Sequence, residues 1–308
     1  MNSDWRPVAS AQTLSDRSSL VWNIREFFQS KGVIEVHTPV VGSQTVTDIQ
    51  IDSIPVQRGF LQTSPEFFMK RLLASGVPSC YQIGPVFRDG EVGKWHNPEF
   101  MMLEWYRIGF DSRQLREEVE GLVDLVLGTG TYRTVTYKDL IGEEIGIDVF
   151  DTSPREIHRV AVHLGYSGSE DFTEVCDFLY SQAMNSCDCS RYFVVDFPEE
   201  SAALAETKIS ESGMVADRFE LIASRIELAN GYNELLDPDE LKRRMALDNK
   251  IRCDKSKSAV DPDERLLDAM RHGLPQCSGV AIGLDRLVAL ALGFESLGQV
   301  MTFPVNRI

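Results

Sequence analysis

The chain has 308 residues, enough for one large or two ordinary domains, and its 43% hydrophobic and 25% charged content is that of an ordinary globular protein. A formal net charge of −16 excludes broad gripping of a nucleic-acid backbone, which needs basic surface, yet leaves room for a local basic pocket around a nucleotide. No apolar run reaches the roughly 18 residues that span a bilayer, and Met1 to Ser10 has no signal-peptide core, so a cytoplasmic protein without a membrane partner is expected.

Six cysteines, at positions 80, 176, 187, 189, 253 and 277, follow no disulfide framework, and reduced thiols are expected. Ser15-Asp16 ahead of Leu20, Val21, Ile24, Phe27 and Phe28 predicts a capped amphipathic helix ending near Gly32. Val33-Ile34-Glu35-Val36 then reads as a strand that meets a turn at Pro39. Thr63-Ser64-Pro65-Glu66 opens another helix, with Ser64 as its N-cap and Pro65 in its first turn. A strand closes on Phe87-Arg88, a polar loop follows, and a returning strand carries Phe100, Glu104 and Tyr106.

Strand side chains alternate, so positions 100, 102, 104 and 106 share one face, while Met101, Leu103 and Trp105 point the other way. That face offers an aromatic plate, a carboxylate and a phenol beside a guanidinium, which suits a nucleotide next to a small cationic molecule. Residues 112–128 and 154–185 read as helical, and 191–197 and 215–229 as extended; 130–200 carries no motif. If Ala223-Ser224 form a two-residue turn, Glu220 and Glu227 oppose each other across a hairpin, an arrangement that needs a cation between them. Helices over 238–253 and 262–272 precede a glycine-rich strand that runs into a helix carrying Arg286. Hairpin-linked strands with helices grouped apart predict an α+β fold around a mainly antiparallel sheet.

Three segments then resemble one family. Phe87-Arg88-Asp89-Gly90 … His96-Asn97-Pro98-Glu99-Phe100 … Glu104-Trp105-Tyr106-Arg107 is similar to motif 2 of class II aminoacyl-tRNA synthetases in its lysine-type form. Ser278-Gly279-Val280-Ala281-Ile282-Gly283-Leu284-Asp285-Arg286 resembles motif 3. Arg218-Phe219-Glu220 and Ile226-Glu227-Leu228-Ala229-Asn230-Gly231-Tyr232-Asn233-Glu234 resemble the metal and amino-acid segment of the lysyl enzymes, and the first helix–strand–proline unit resembles the dimer-building motif 1. The expectation is a single catalytic domain over 1–308, with motif 1 near 15–41, motif 2 near 80–107 and motif 3 near 278–293. It leaves no space for the family's N-terminal OB-fold anticodon-binding domain.

The resemblance implies activation of an amino acid by ATP with Mg²⁺. Arg88 and Arg286 are the implied catalytic arginines: Arg88 bridges the reacting carboxylate and α-phosphate, and Arg286 stacks on adenine opposite Phe100. Asp89, Gly90, Glu91, His96, Asn97, Glu227, Leu228 and Gly283 complete the implied ATP site, and Glu220 with Glu227 the metal site. Ser64, Pro65, Glu66, Glu104, Tyr106, Asn230, Tyr232, Glu234 and Ala281 are the implied amino-acid pocket. A substrate with two ammonium groups needs several such acceptors.

Lysyl-type cores of this length resemble ligases that attach (R)-β-lysine to a lysine of translation elongation factor P. Ala281, where lysyl-tRNA synthetases have glycine, favours a displaced amino group and so points the same way. The implied partners are ATP, (R)-β-lysine or lysine, elongation factor P and a second copy of the chain as a homodimer, with tRNA disfavoured. Gly90, where the family has a glutamate, is a departure that leaves open a silent paralogue that binds or regulates, and a core of this kind without an anticodon domain leaves open a minimal lysyl-tRNA synthetase.

Overall fold

The computed structural model describes residues 5–308; the first four positions of the Met1–Ser10 segment lie outside the described residues. The chain forms two compact units, one running through Thr129 and resuming at Glu234–Ile308, the other comprising Gly130–Asn233. Among the described residues no helix is long and apolar enough to cross a membrane.

The first unit opens with α1 (Ala11–Ser30). Its cap is Ser10, whose hydroxyl accepts the Thr13 N–H at 3.1 Å, and not Ser15-Asp16. Nothing in residues 11–14 breaks a helix, so the helix extends one turn upstream to the earlier capping residue, and Thr13 becomes buried. After β1 (Ile34–Glu35) comes a small antiparallel sheet, not expected from the sequence, built from β2 (Val41–Gly42), β3 (Pro55–Val56) and β4 (Gly59–Leu61). Helix α2 (Glu66–Ala74), strands β5 (Cys80–Phe87) and β6 (Glu99–Ile108), and helix α3 (Ser112–Leu127) follow.

Ser64 does not cap α2: Pro65 holds the cap position without a side-chain bond. Ser64 still accepts the Glu66 N–H at 3.0 Å, but its own proton goes to Glu104, a stronger acceptor.

The second unit contains β7 (Arg133–Thr136), α4 (Tyr137–Ile145), α5 (Pro154–His163), α6 (Phe172–Ser186), β8 (Arg191–Pro198), β9 (Thr207–Ser210), β10 (Gly213–Ala223) and β11 (Ile226–Asn233). The helical stretch from 154 is split where Gly165 takes φ +99°, a conformation open to glycine. Strands pair in the order β11-β10-β8-β7, with β9 on β10, and only β7–β8 is parallel. Tyr137, Leu179, Tyr180, Tyr192 and Phe197 close its core.

The chain returns to the first unit with α7 (Pro238–Asp254), α8 (Glu264–Gly273), β12 (Cys277–Gly283) and α9 (Leu284–Ala291). That unit's larger sheet runs β1-β5-β6-β12, antiparallel except for β1–β5. The alternation along β6 holds. Trp105 points into the core, with its ring 5.3 Å from that of Phe28 and its Nε1–H donated to Glu118, which frees Glu104 and Tyr106 to build the opposite face.

Candidate active site

In the first unit, β6 and β12 hold the amino-acid residues in register. Glu104 stands opposite Ala281, and Tyr106 opposite Gly279. Tyr106 donates its hydroxyl to one oxygen of Glu104 at 2.7 Å, and Ser64 donates to the other at 2.6 Å. Glu66, in the first turn of α2, and Glu234, which follows β11 in sequence, converge on the same ammonium: Lys70 Nζ lies 2.7 Å from Glu66 and 2.6 Å from Glu234. Burial, with the charge of Glu66 behind it, pushes Glu104 up to about 7. Burial pushes Glu234 up to about 8 even against the pull of Lys70. Buried acids this strained toward neutrality mark a cluster built to receive positive charge.

Gly279 leaves room here that a larger residue would take. A Cβ at this position would fall inside contact distance of the Tyr106 ring and of a Glu234 oxygen. At Gly283, a glycine of the implied ATP site, an added Cβ would meet only Arg286 carbons at 3.4 Å or beyond.

Arg88 lies at the mouth of β5–β6. Its guanidinium sits 5.3 Å from the Phe100 ring centroid and 3.6 Å from Glu91, and its Nε–H reaches the Thr63 carbonyl at 3.4 Å. Glu91 thus pairs with the arginine from one position beyond Gly90, where the chain turns at φ +74°. Asn97 is committed to the backbone: it donates to the Glu99 carbonyl at 2.6 Å and accepts the Val305 N–H at 2.9 Å, which ties the loop to the C-terminal segment. His96 closes that loop through a bridge with Gly93. Arg286 donates to the Trp95 carbonyl at 3.1 Å, and its neighbour Asp285 is buried between Arg17, at 2.6 Å, and the Met101 N–H, at 2.7 Å.

The second unit carries the two candidate metal carboxylates. The turn between β10 and β11 is Ser224-Arg225, both at positive φ, one residue later than the sequence suggests. Leu228 has no partner and forms a bulge, so Glu220 pairs with Asn230 and not with Glu227. The extra residue nevertheless brings Glu227, Asn230 and Tyr232 onto the face of β10 that bears Arg218 and Glu220.

Glu220 is held by Arg218 at 2.6 Å and by the Tyr180 hydroxyl at 2.7 Å. Burial, then the nearby charge of Glu227, still pushes it up to about 7. Asn230 Oδ1 is buried with no partner. Two like charges and an unanswered acceptor on one face fit a hard divalent cation, since Mg²⁺ takes one or two carboxylates and fills its shell with phosphate oxygens and water.

Five residues in these clusters were given no role by the sequence, although three of them lie inside the quoted motifs: Lys70, Arg218, Tyr180, Gly279 and Asp285. Lys70 had a signal, the Glu–Lys spacing of four on a helix, and Gly279 had another, a glycine inside a strand. Tyr180 had none, because its partner lies 40 positions away.

The family model for class II tRNA synthetases (D, K and N) matches residues 3–307. The chain belongs to this class II tRNA synthetase family. Among its relatives is the elongation factor P–(R)-β-lysine ligase of Vibrio cholerae serotype O1, 41% identical over 99% of both chains. Proteins of the same name from Vibrio vulnificus and Yersinia enterocolitica are 41% and 40% identical, the former over 99% of both chains and the latter over 98%.

Proposed function

We propose that this chain is an ATP-dependent ligase that activates (R)-β-lysine, or lysine, as an aminoacyl-adenylate and passes it to a lysine ε-amine of translation elongation factor P. The observation that carries the chemistry is the acid cluster of Glu66 with the buried Glu104 and Glu234, which with all three acids ionised keeps two negative charges after Lys70 is counted. An occupant with two ammonium groups answers both, whereas an acidic amino acid would be repelled. The acceptor comes from the name shared by the relatives.

In the activation step the substrate carboxylate attacks the α-phosphorus, a C–O–P bond forms and the bond to pyrophosphate breaks. Positioning and charge stabilisation carry such reactions. Arg88, braced by Phe100 and Glu91, would neutralise carboxylate and phosphate together through its planar fork. Arg286 and Phe100 would flank the adenine. Glu220 and Glu227 would hold Mg²⁺, which supplies charge neutralisation on the phosphates. In the second step the acceptor amine must be neutral to attack the anhydride carbonyl and expel AMP. A free lysine has a pKa near 10.4, so desolvation beside the anhydride would have to lower it.

Both compact units would belong to one catalytic domain, since the family match spans them. Assembly as a cytoplasmic homodimer through the motif 1 region is part of the same proposal, and the exposed Trp22 on α1 supports it. The test is to incubate the protein with Mg²⁺-ATP, (R)-β-lysine, elongation factor P and tRNA from the same organism. A gain of one lysyl residue on a single lysine of the factor, with tRNA uncharged, is the expected result. Acylated tRNA with an unmodified factor would make the chain a minimal synthetase, and absence of pyrophosphate exchange would make it a silent paralogue.

A further inference from the structure

Lys70 lies between two of the three acids of the cluster. It stands one turn beyond Glu66 on α2, its side chain is 1% exposed, and it faces Glu66 at 2.7 Å and Glu234, also 1% exposed, at 2.6 Å. An ammonium in such a place is costly unless its charge is answered. Here burial works against the charged form, yet the two carboxylates outweigh it and hold Lys70 protonated beyond its ordinary range.

The third carboxylate, Glu104, is treated differently. Its partners are the hydroxyls of Ser64 and Tyr106, which orient it but cancel none of its charge. The cluster therefore contains three carboxylates and one ammonium.

We infer that Lys70 is a specificity-determining residue: an internal counter-charge that trims the cluster to two negative charges and positions Glu66 and Glu234, so that the pocket selects amino acids bearing two ammonium groups. This rests on the ligase reading for the identity of the pocket, but not for its charge. With one cation built in, an amino acid with a single ammonium leaves a buried negative charge unanswered, and a diammonium amino acid leaves none.

The test joins binding and kinetics. Calorimetry on the wild-type chain should show lysine bound at least about a hundredfold more tightly than norleucine, which lacks only the terminal ammonium. Lys70→Met keeps the unbranched stem and removes the charge, so the pocket takes up an additional proton. The midpoint of the pH profile of kcat/KM for the amino acid should rise by about one unit, with KM near pH 7 about tenfold higher and recovering in alkali. Lys70→Arg retains the charge and should keep the wild-type midpoint even where its bulk raises KM.

Equal binding of norleucine and lysine would overturn the inference, whether or not Lys70→Met folds. So would a Lys70→Met profile that loses activity at an unmoved midpoint, the mark of a packing role. Tight lysine binding without pyrophosphate exchange would instead remove the ligase reading and leave the charge rule standing.

Discussion

Ala281 on β12 and Glu104 on β6 occupy directly opposed positions, so the alanine methyl stands beside the carboxylate that Ser64 and Tyr106 hold in place. On the proposed reading of the pocket, the methyl would take up room where an α-ammonium would otherwise approach. Ala281→Gly should shift preference from β-lysine toward α-lysine by roughly 10- to 200-fold, the worth of one methyl group in a pocket. Pyrophosphate exchange with (R)-β-lysine, (S)-β-lysine and lysine in parallel measures the ratio, and an unchanged ratio would place the discrimination elsewhere.

Gly279 faces the Tyr106 ring and Glu234 in the same cluster. Gly279→Ala drives a methyl into Tyr106 and Glu234, so KM for the amino acid should rise at least about tenfold, while Gly283→Ala should fold normally. Thermal melts alongside amino-acid titrations separate loss of the pocket from loss of the fold.

The pH dependence has a defined sign. Glu104 and Glu234 titrate near 7 and 8 in the empty folded protein, against 4.5 for an ordinary glutamate, so the folded state holds protons that the unfolded chain releases. Their contribution to stability is therefore greatest below pH 4.5 and is lost as pH rises toward 8. A dicationic occupant needs both groups ionised, so its KM should fall between pH 6 and pH 8, and binding should release protons. Calorimetry in two buffers of different ionisation enthalpy counts them; a count of zero would contradict the assignment.

On the proposed mechanism, replacing Arg88 would remove the charge at the reacting phosphate. Arg88→Ala should lower kcat/KM for exchange by roughly 10²–10³-fold, about 3 kcal/mol, and Arg88→Lys should recover only part of it because an ammonium lacks the planar fork. An Arg88→Ala protein with full exchange activity would exclude the residue from the reaction.

Asp285 should matter for stability before it matters for chemistry. Its two oxygens serve Arg17 and the Met101 N–H, so Asp285→Ala leaves a guanidinium and a backbone donor without their acceptor. The expected loss is about 3 kcal/mol, readable as a lower midpoint in urea.

How much of this was legible depended on distance along the chain. The alternation of β6 is local, and it placed Glu104 and Tyr106 on one face and Trp105 on the other. The three motifs delivered the family and the candidate site residues. Ser15-Asp16 has the composition of a cap, yet the helix begins after Ser10, a start that only the packing of residues 11–14 decides. The Glu220–Glu227 pairing failed by a one-residue shift of the turn together with the bulge at Leu228, neither of which changes composition or hydrophobic period. The bonds from Tyr180 to Glu220 and from Asp285 to Arg17 join residues far apart in sequence, and nothing local announces them.

The bulge also puts the hairpin out of step with itself. Glu227 is odd-numbered while Asn230 and Tyr232 are even, yet all three share a face because Leu228 opposes nothing. A designer who regularised β11 by giving Leu228 a partner on β10 would keep every side chain and every hydrophobic contact count, and would still turn Glu227 away from Asn230. In a library of variants this strand should therefore tolerate substitutions far better than single-residue insertions in its neighbour, since its function is written in phase as much as in chemistry.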